Sequence, residues 1–163
     1  MTSLKYIHPD PSLCKTLYII VGEAPGAEEE ERGIPFVGKA GKMLRQTLQE
    51  LGILNNCYFT NAVKIRPPRN RKPTKEEVKS WLPILINEIF ELSCEEVRLF
   101  TFGATATKAV AMIAKQYPEL NYFKNNWYVF SHPSWIARYG HKNKQQWINF
   151  IKRAIDGNRI AKK

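Results

Sequence analysis

The run Leu17-Tyr18-Ile19-Ile20-Val21 is apolar throughout and stops at Gly22. A strand that shows no polar alternation is buried on both faces, and such strands belong to parallel sheets covered by helices on each side. The rest of the chain has the matching rhythm. Met43, Leu44, Leu48 and Leu51 recur at helical spacing, with Gly52 placed as a C-terminal stop. Cys57 to Val63 reads as the next strand. Thr74 and Glu77 form a capping box after Pro73, opening a helix whose buried stripe is Val78, Trp81, Leu82, Leu85 and Ile89. Val97 to Phe102 is a third strand, Thr105 to Ala114 an Ala-rich helix, Trp127 to Phe130 a fourth strand and Gln145 to Ile155 a closing helix. This alternation predicts an α/β fold, a three-layer α/β/α sandwich around a central, mostly parallel four-stranded sheet. The 163 residues, 44% of them hydrophobic, suffice for one core. We therefore expect one domain over 1–163, with no internal repeat, low-complexity tract or linker.

Charge narrows the partner. Twenty-five Lys and Arg against 15 Asp and Glu leave a formal charge of +10, which points to a polyanion without naming it. Met1-Thr2-Ser3-Leu4-Lys5-Tyr6 has no apolar stretch after its lysine, so a soluble, cytoplasmic protein with no membrane association is expected. Cys14, Cys57 and Cys94 are odd in number and far apart; they read as reduced thiols, small partly buried hydrophobes and not a zinc or redox motif.

Sites in parallel sheets lie in loops beyond the carboxyl ends of strands, and three such loops hold unusual residues. The first runs from Gly22 to Gly41 and contains Gly22-Glu23-Ala24-Pro25-Gly26, four consecutive glutamates from Glu28 to Glu31, and Gly33-Ile34-Pro35-Phe36-Val37-Gly38-Lys39-Ala40-Gly41. Its glycines permit close backbone approach to a ligand. Their spacing is neither a dinucleotide fingerprint nor a phosphate-binding P-loop. Phe36 either plugs the loop into the core or offers a platform on which a flipped base stacks. The glutamates either face solvent at a helix start or supply a carboxylate that orients water near a sugar.

The second loop, Asn61 to Lys72, combines a strand-end amide with five cations and two prolines. Asn61 offers a donor and an acceptor, which suits the polar edge of a pyrimidine as well as a local backbone cap. The cations suit phosphates beside a cleft. The third loop is Ser131-His132-Pro133-Ser134-Trp135-Ile136-Ala137-Arg138. There His132 is placed to donate to a carbonyl oxygen gaining negative charge, worth ~3 kcal/mol in comparable oxyanion sites. Trp135 and Ile136 would project as an apolar wedge.

Together the three loops resemble the family 4 uracil-DNA glycosylases. Gly22 to Gly26 with Gly33 to Gly41 is similar to that family's first motif, Asn61 with Arg66-Pro67-Pro68-Arg69-Asn70-Arg71 to its middle motif, and His132-Pro133-Ser134 to its last. The likeness runs from about Leu17 to the C-terminus, in order. It implies a glycosylase that hydrolyses the bond between a flipped uracil and its sugar. Phe36 would stack on the base, Asn61 read its edge, and His132 stabilise the leaving anion. Glu23, Glu29 and Asn70 match positions used around the attacking water and sugar, and Ala24 stands in the pocket where other uracil glycosylases carry a catalytic aspartate. DNA would be held by Lys39, Arg66, Arg69, Arg71, Ser134, Trp135, Ile136 and Arg138.

One departure is large. Family 4 enzymes hold a four-iron four-sulfur cluster on four cysteines, whereas Ile65 and Trp81 occupy two of those places here and the N-terminal arm bearing the first pair is short. Neither metal nor cofactor is expected, and apolar residues should fill the vacated volume. The expected protein is a monomer acting on DNA, leaving an abasic site. Two other readings remain open: a glycosylase for a modified cytosine of phage DNA, acting in defence, and a noncatalytic DNA-binding module.

Overall fold

The computed structural model describes residues 15–92, 94–118, 125–140 and 142–157. Cys14 and the Met1 to Tyr6 stretch fall outside them. Four strands, β1 (Thr16–Gly22), β2 (Cys57–Asn61), β3 (Glu96–Phe102) and β4 (Trp127–Phe130), form one sheet in the order β2-β1-β3-β4. All three pairings are parallel. The helices are α1 (Ala27–Arg32), α2 (Lys39–Glu50), α3 (Lys75–Glu91), α4 (Ala104–Gln116), α5 (Pro133–Tyr139) and α6 (Lys144–Ile155).

Strand alternation builds two cores. Tyr18 and Ile20 point to one face, where Leu44 and Leu48 of α2, Ile136 of α5 and Trp147 and Ile151 of α6 cover them. Leu17, Ile19 and Val21 point to the other, under Leu85 and Ile89 of α3 and Ala109 and Val110 of α4. Helices on both faces give the three-layer sandwich expected. Leu17, Ile19, Ile20 and Val21 are each at most 2% exposed, which explains why β1 needs an unbroken apolar run; fully burying each such side chain contributes about 1.5–3 kcal/mol.

Two helices differ from the sequence reading, which left their residues in loops. α1 spans six residues and buries none of them, so it has no apolar stripe. α5 spans seven and buries only Pro133 and Ile136, too few to show a period. The second strand ends at Asn61, short of Val63.

Because β1 lies between β2 and β3, the chain leaves β1 toward one side of the sheet and later returns to the other. The carboxyl ends of β1 and β3 thus flank a topological switch point, where such sheets open a crevice. Among the described residues no helix is long and apolar enough to cross a membrane.

Candidate active site

The register of β1 against β2 sets Gly22 beside Asn61. A Cβ at Gly22 would lie 2.5 Å from Cζ of Phe36 and 2.7 Å from Oδ1 of Asn61. The missing side chain is therefore what lets ring and amide converge at the end of β1. Asn61 is 3% exposed and its side chain lines the crevice.

Phe36 is held under strain. Its φ of 57° is left-handed, a conformation that costs a non-glycine residue on the order of 1–3 kcal/mol. Several contacts enforce it. Arg45 of α2 donates from Nε to the Phe36 carbonyl at 2.7 Å and from a terminal nitrogen to the Pro35 carbonyl at 2.6 Å. Its guanidinium also lies 4.0 Å over the Phe59 ring, and Phe59 packs against Phe36 at 5.4 Å. Gly41 passes so close to the Phe36 backbone that any Cβ there would collide with it. Glu29 completes the clamp: its carboxylate accepts the backbone N–H groups of Gly26, Val37 and Gly38 at 3.0, 2.8 and 2.5 Å. That geometry makes Glu29 a positioning residue for the Phe36 loop.

Across the crevice, His132 precedes α5. The backbone N–H of Ser134 donates to its Nδ1 at 3.1 Å, and Ser134 Oγ lies 2.7 Å from the same nitrogen. An Nδ1 that accepts leaves the proton of the neutral ring on Nε2. Burial pushes the His132 pKa below its ordinary 6.5, against the opposing pull of Glu23 and Glu29. The imidazole is thus a neutral Nε2–H donor. Glu23, from the end of β1, accepts the Thr105 hydroxyl of α4 at 2.7 Å; this bond bridges the switch point.

These groups line one pocket of about 350 Å³, within the range of small-ligand sites. It brings together Glu23, Ala24, Glu29, Phe36, Lys39, Asn61, Asn70, Arg71, His132, Ser134 and Arg138. It does not include Arg66, Arg69, Trp135 or Ile136. Arg66 donates to Asn70 Oδ1 at 2.7 Å and lies 3.6 Å from Glu30, and Arg71 pairs with Glu77 at 2.6 Å. Arg69 is exposed and left-handed, as is Asn70.

A family model described as the uracil DNA glycosylase superfamily matches residues 11–155. The chain belongs to that superfamily. It is similar to the type-4 uracil-DNA glycosylase of Pyrobaculum aerophilum, 47% identical over 93 residues that make up 56% of this chain and 46% of that protein. To the type-4 uracil-DNA glycosylase of Thermotoga maritima it is 45% identical over 92 residues, 56% of this chain and 47% of the relative. The matched region spans about half the length of these curated relatives. Among solved structures it resembles that of wild-type Pedobacter heparinus SMUG2, with a TM-score of 0.57 and 17% identity over 87% of this chain and 75% of that one, which supports the fold alone.

This superfamily member departs from the sequence expectations in two places. Ile136 is not part of a wedge: it is 4% exposed and belongs to the core beneath α5. Consecutive helical residues lie about 100° apart around the axis, so Trp135 and Ile136 cannot face outward together. Residues four apart can, and Tyr139, 61% exposed, stands beside Trp135, 46% exposed, with ring centroids 5.8 Å apart. The second departure concerns Ile65, which at 42% exposed fills no interior volume, whereas Trp81 does join the core under α3.

A four-thiolate cluster does not fit these residues. Ile65 and Trp81 have no donor atom to give it. The Cys57 thiol is buried, donates to the Ile53 carbonyl at 3.2 Å and is pushed well above its usual pKa by burial. Among the described residues no group of three His, Cys, Asp or Glu side chains is placed to hold a metal ion.

Thr105, Arg45, Tyr139 and the buried Lys64–Glu88 pair at 2.5 Å were missed by sequence reasoning. Lys64 also donates to the Asn61 carbonyl at 2.5 Å, and Glu88 accepts the hydroxyls of Tyr58 and Thr60 at 2.6 and 2.7 Å, which anchors the end of β2. Thr105 had a usable signal, since it stands just beyond the carboxyl end of a strand, as Glu23 does.

Proposed function

We propose that this chain is a monofunctional DNA glycosylase that excises uracil. The observation that carries the reading is the Asn61 amide converging with the strained Phe36 ring at Gly22, both in the lining of the pocket. An amide, with its donor and acceptor, next to an aromatic face is complementary to one edge and one face of an extrahelical pyrimidine. The type-4 uracil-DNA glycosylases to which the chain is similar support uracil as that base.

Chemistry follows from where charge develops. The bond between C1′ of the deoxyribose and N1 of uracil breaks with its electron pair going to the base. The sugar becomes cationic and the base anionic, with charge spread onto its O2. The Nε2–H of His132 donates to that oxygen, and a neutral donor is the form that burial maintains. The Glu23 carboxylate, fixed by Thr105, stabilises the sugar cation and orients water. Water adds to C1′ as hydroxyl, its other proton passes through solvent to the departing uracil anion, and the products are free uracil and an abasic site. Asn70 and Ala24 line the same pocket, and the sugar is assigned to their side of it.

On DNA, Lys39, Arg69 and Arg138 approach phosphates, with Arg66 and Arg71 held beside them by their acidic partners. Trp135 and Tyr139 take the wedge role. Ser134 acts through His132. The 1–163 chain is taken as one domain, monomeric and cytoplasmic.

Single-turnover release of uracil tests the assignment. Asn61→Ala and His132→Ala should each slow release by roughly a hundredfold, as lost transition-state contacts do, while leaving DNA affinity nearly unchanged. Folded variants that release uracil at the unaltered rate would remove both residues from the reaction.

A further inference from the structure

A second concavity, of about 510 Å³, lies between the start of α3 and the outer face of α4. Lys72, Lys75, Lys108 and Lys115 rim it, Val78 and Met112 lie in its floor, and none of its lining residues is acidic. It adjoins the candidate active site at two points. Thr105 lines the groove while its hydroxyl holds Glu23, and Lys72 follows Arg71, which lines the pocket. Lys108, Met112 and Lys115 recur along one face of α4. At about 1.5 Å of rise per residue, the two lysines are separated by roughly 10 Å along the axis.

A cationic rim over an apolar floor suits a chain that carries phosphates on one side and bases on the other. A duplex would need a wide, evenly basic surface, and an acidic peptide would gain little from the floor. We propose that this groove holds the single-stranded flank that runs on from the flipped nucleotide, with Lys108 and Lys115 on successive phosphates of its path. The inference rests on the DNA reading above and extends the DNA contact well beyond the pocket.

The test uses full-length protein and single-stranded, uracil-containing oligonucleotides of two kinds, one with a few nucleotides on either side of the uracil and one with long flanks. Binding by Lys108→Gln/Lys115→Gln is compared with wild type across salt concentrations, and thermal unfolding checks the fold. For the long oligonucleotide the slope of log affinity against log salt should fall by about 1.4, the loss expected for two single-strand phosphate contacts. Affinity should drop roughly tenfold at low salt. Binding and excision of the short oligonucleotide should be unchanged.

An unchanged slope on the long flank, with wild type still excising uracil, would overturn the groove assignment and leave the glycosylase reading intact. Equal weakening on short and long oligonucleotides would overturn it as well. If wild type binds neither oligonucleotide, the DNA reading falls and takes the groove with it.

Discussion

The backbone N–H of Ser134 donates to Nδ1 of His132 at 3.1 Å, and so fixes the proton on Nε2 of an imidazole that lines the pocket. Burial lowers the His132 pKa below its ordinary 6.5. In the folded protein the ring therefore stays neutral at pH values where an unfolded chain would already have bound a proton. The acid limb of uracil release should accordingly lie below pH 6.5. Stability follows the same sign: below that pH the unfolded state binds the extra proton first, so the His132 contribution is present above 6.5 and is lost as pH falls through the depressed folded value. Nitrogen NMR of the imidazole checks both points. Titration at or above the ordinary value, or a proton on Nδ1, would contradict the account.

Gly22 should not tolerate a side chain. Alanine there would drive a methyl into Phe36 and Asn61 together, and overpacking of this kind costs about 1–3 kcal/mol. The variant should remain folded, lose a few degrees in thermal midpoint and release uracil at least roughly tenfold more slowly, since a displacement at this point shifts both groups proposed to hold the base. A Gly22→Ala protein with wild-type turnover would mean that ring and amide need not converge.

α5 offers a paired contrast. Trp135→Ala should slow excision from duplex roughly tenfold and from single strands little, because a wedge matters only where a base must leave a stack. Ile136→Ala should instead destabilise the fold by about 2–5 kcal/mol, the usual cost of truncating a core aliphatic. Equal effects of Trp135→Ala on both substrates would remove it from the wedge.

The sequence made the layers legible because β1 and α3 bury long apolar patterns, whereas α1 and α5 were invisible because they bury almost nothing. In the site, Phe36, Asn61 and His132 stood out by their loop positions, but only the family resemblance chose a role for each over a plain packing or capping one. The role of Glu29 could not be read there, since it depends on which amides fold back to meet it, eight and nine residues later. Ile136 shows the same limit: without the helix, adjacent residues looked equivalent. Arg45 and the Lys64–Glu88 pair left no local sign, because charge inside a fold is visible only once its partner is placed.

Among the loop cations, Arg69 differs from its neighbours. Arg71 is tied to Glu77, and the pair holds the Glu77 carboxyl at about 2, while Arg69 makes no ion pair among the described residues. Arg69→Ala should flatten the salt dependence of duplex binding by about 0.9 in logarithmic slope, one phosphate contact. Arg71→Ala should change it less. The reverse order would mean that Arg71 exchanges Glu77 for DNA.

Base release from a matched set of oligonucleotides separates uracil excision from the other readings of the site. One strand carries uracil and the others cytosine, thymine, hydroxymethylated cytosine and glucosylated cytosine at the same position. Free uracil and an alkali-sensitive break are expected in the uracil strand alone. Release of a modified cytosine with uracil left intact would contradict the substrate, and tight binding with no base released from any strand would contradict the enzyme.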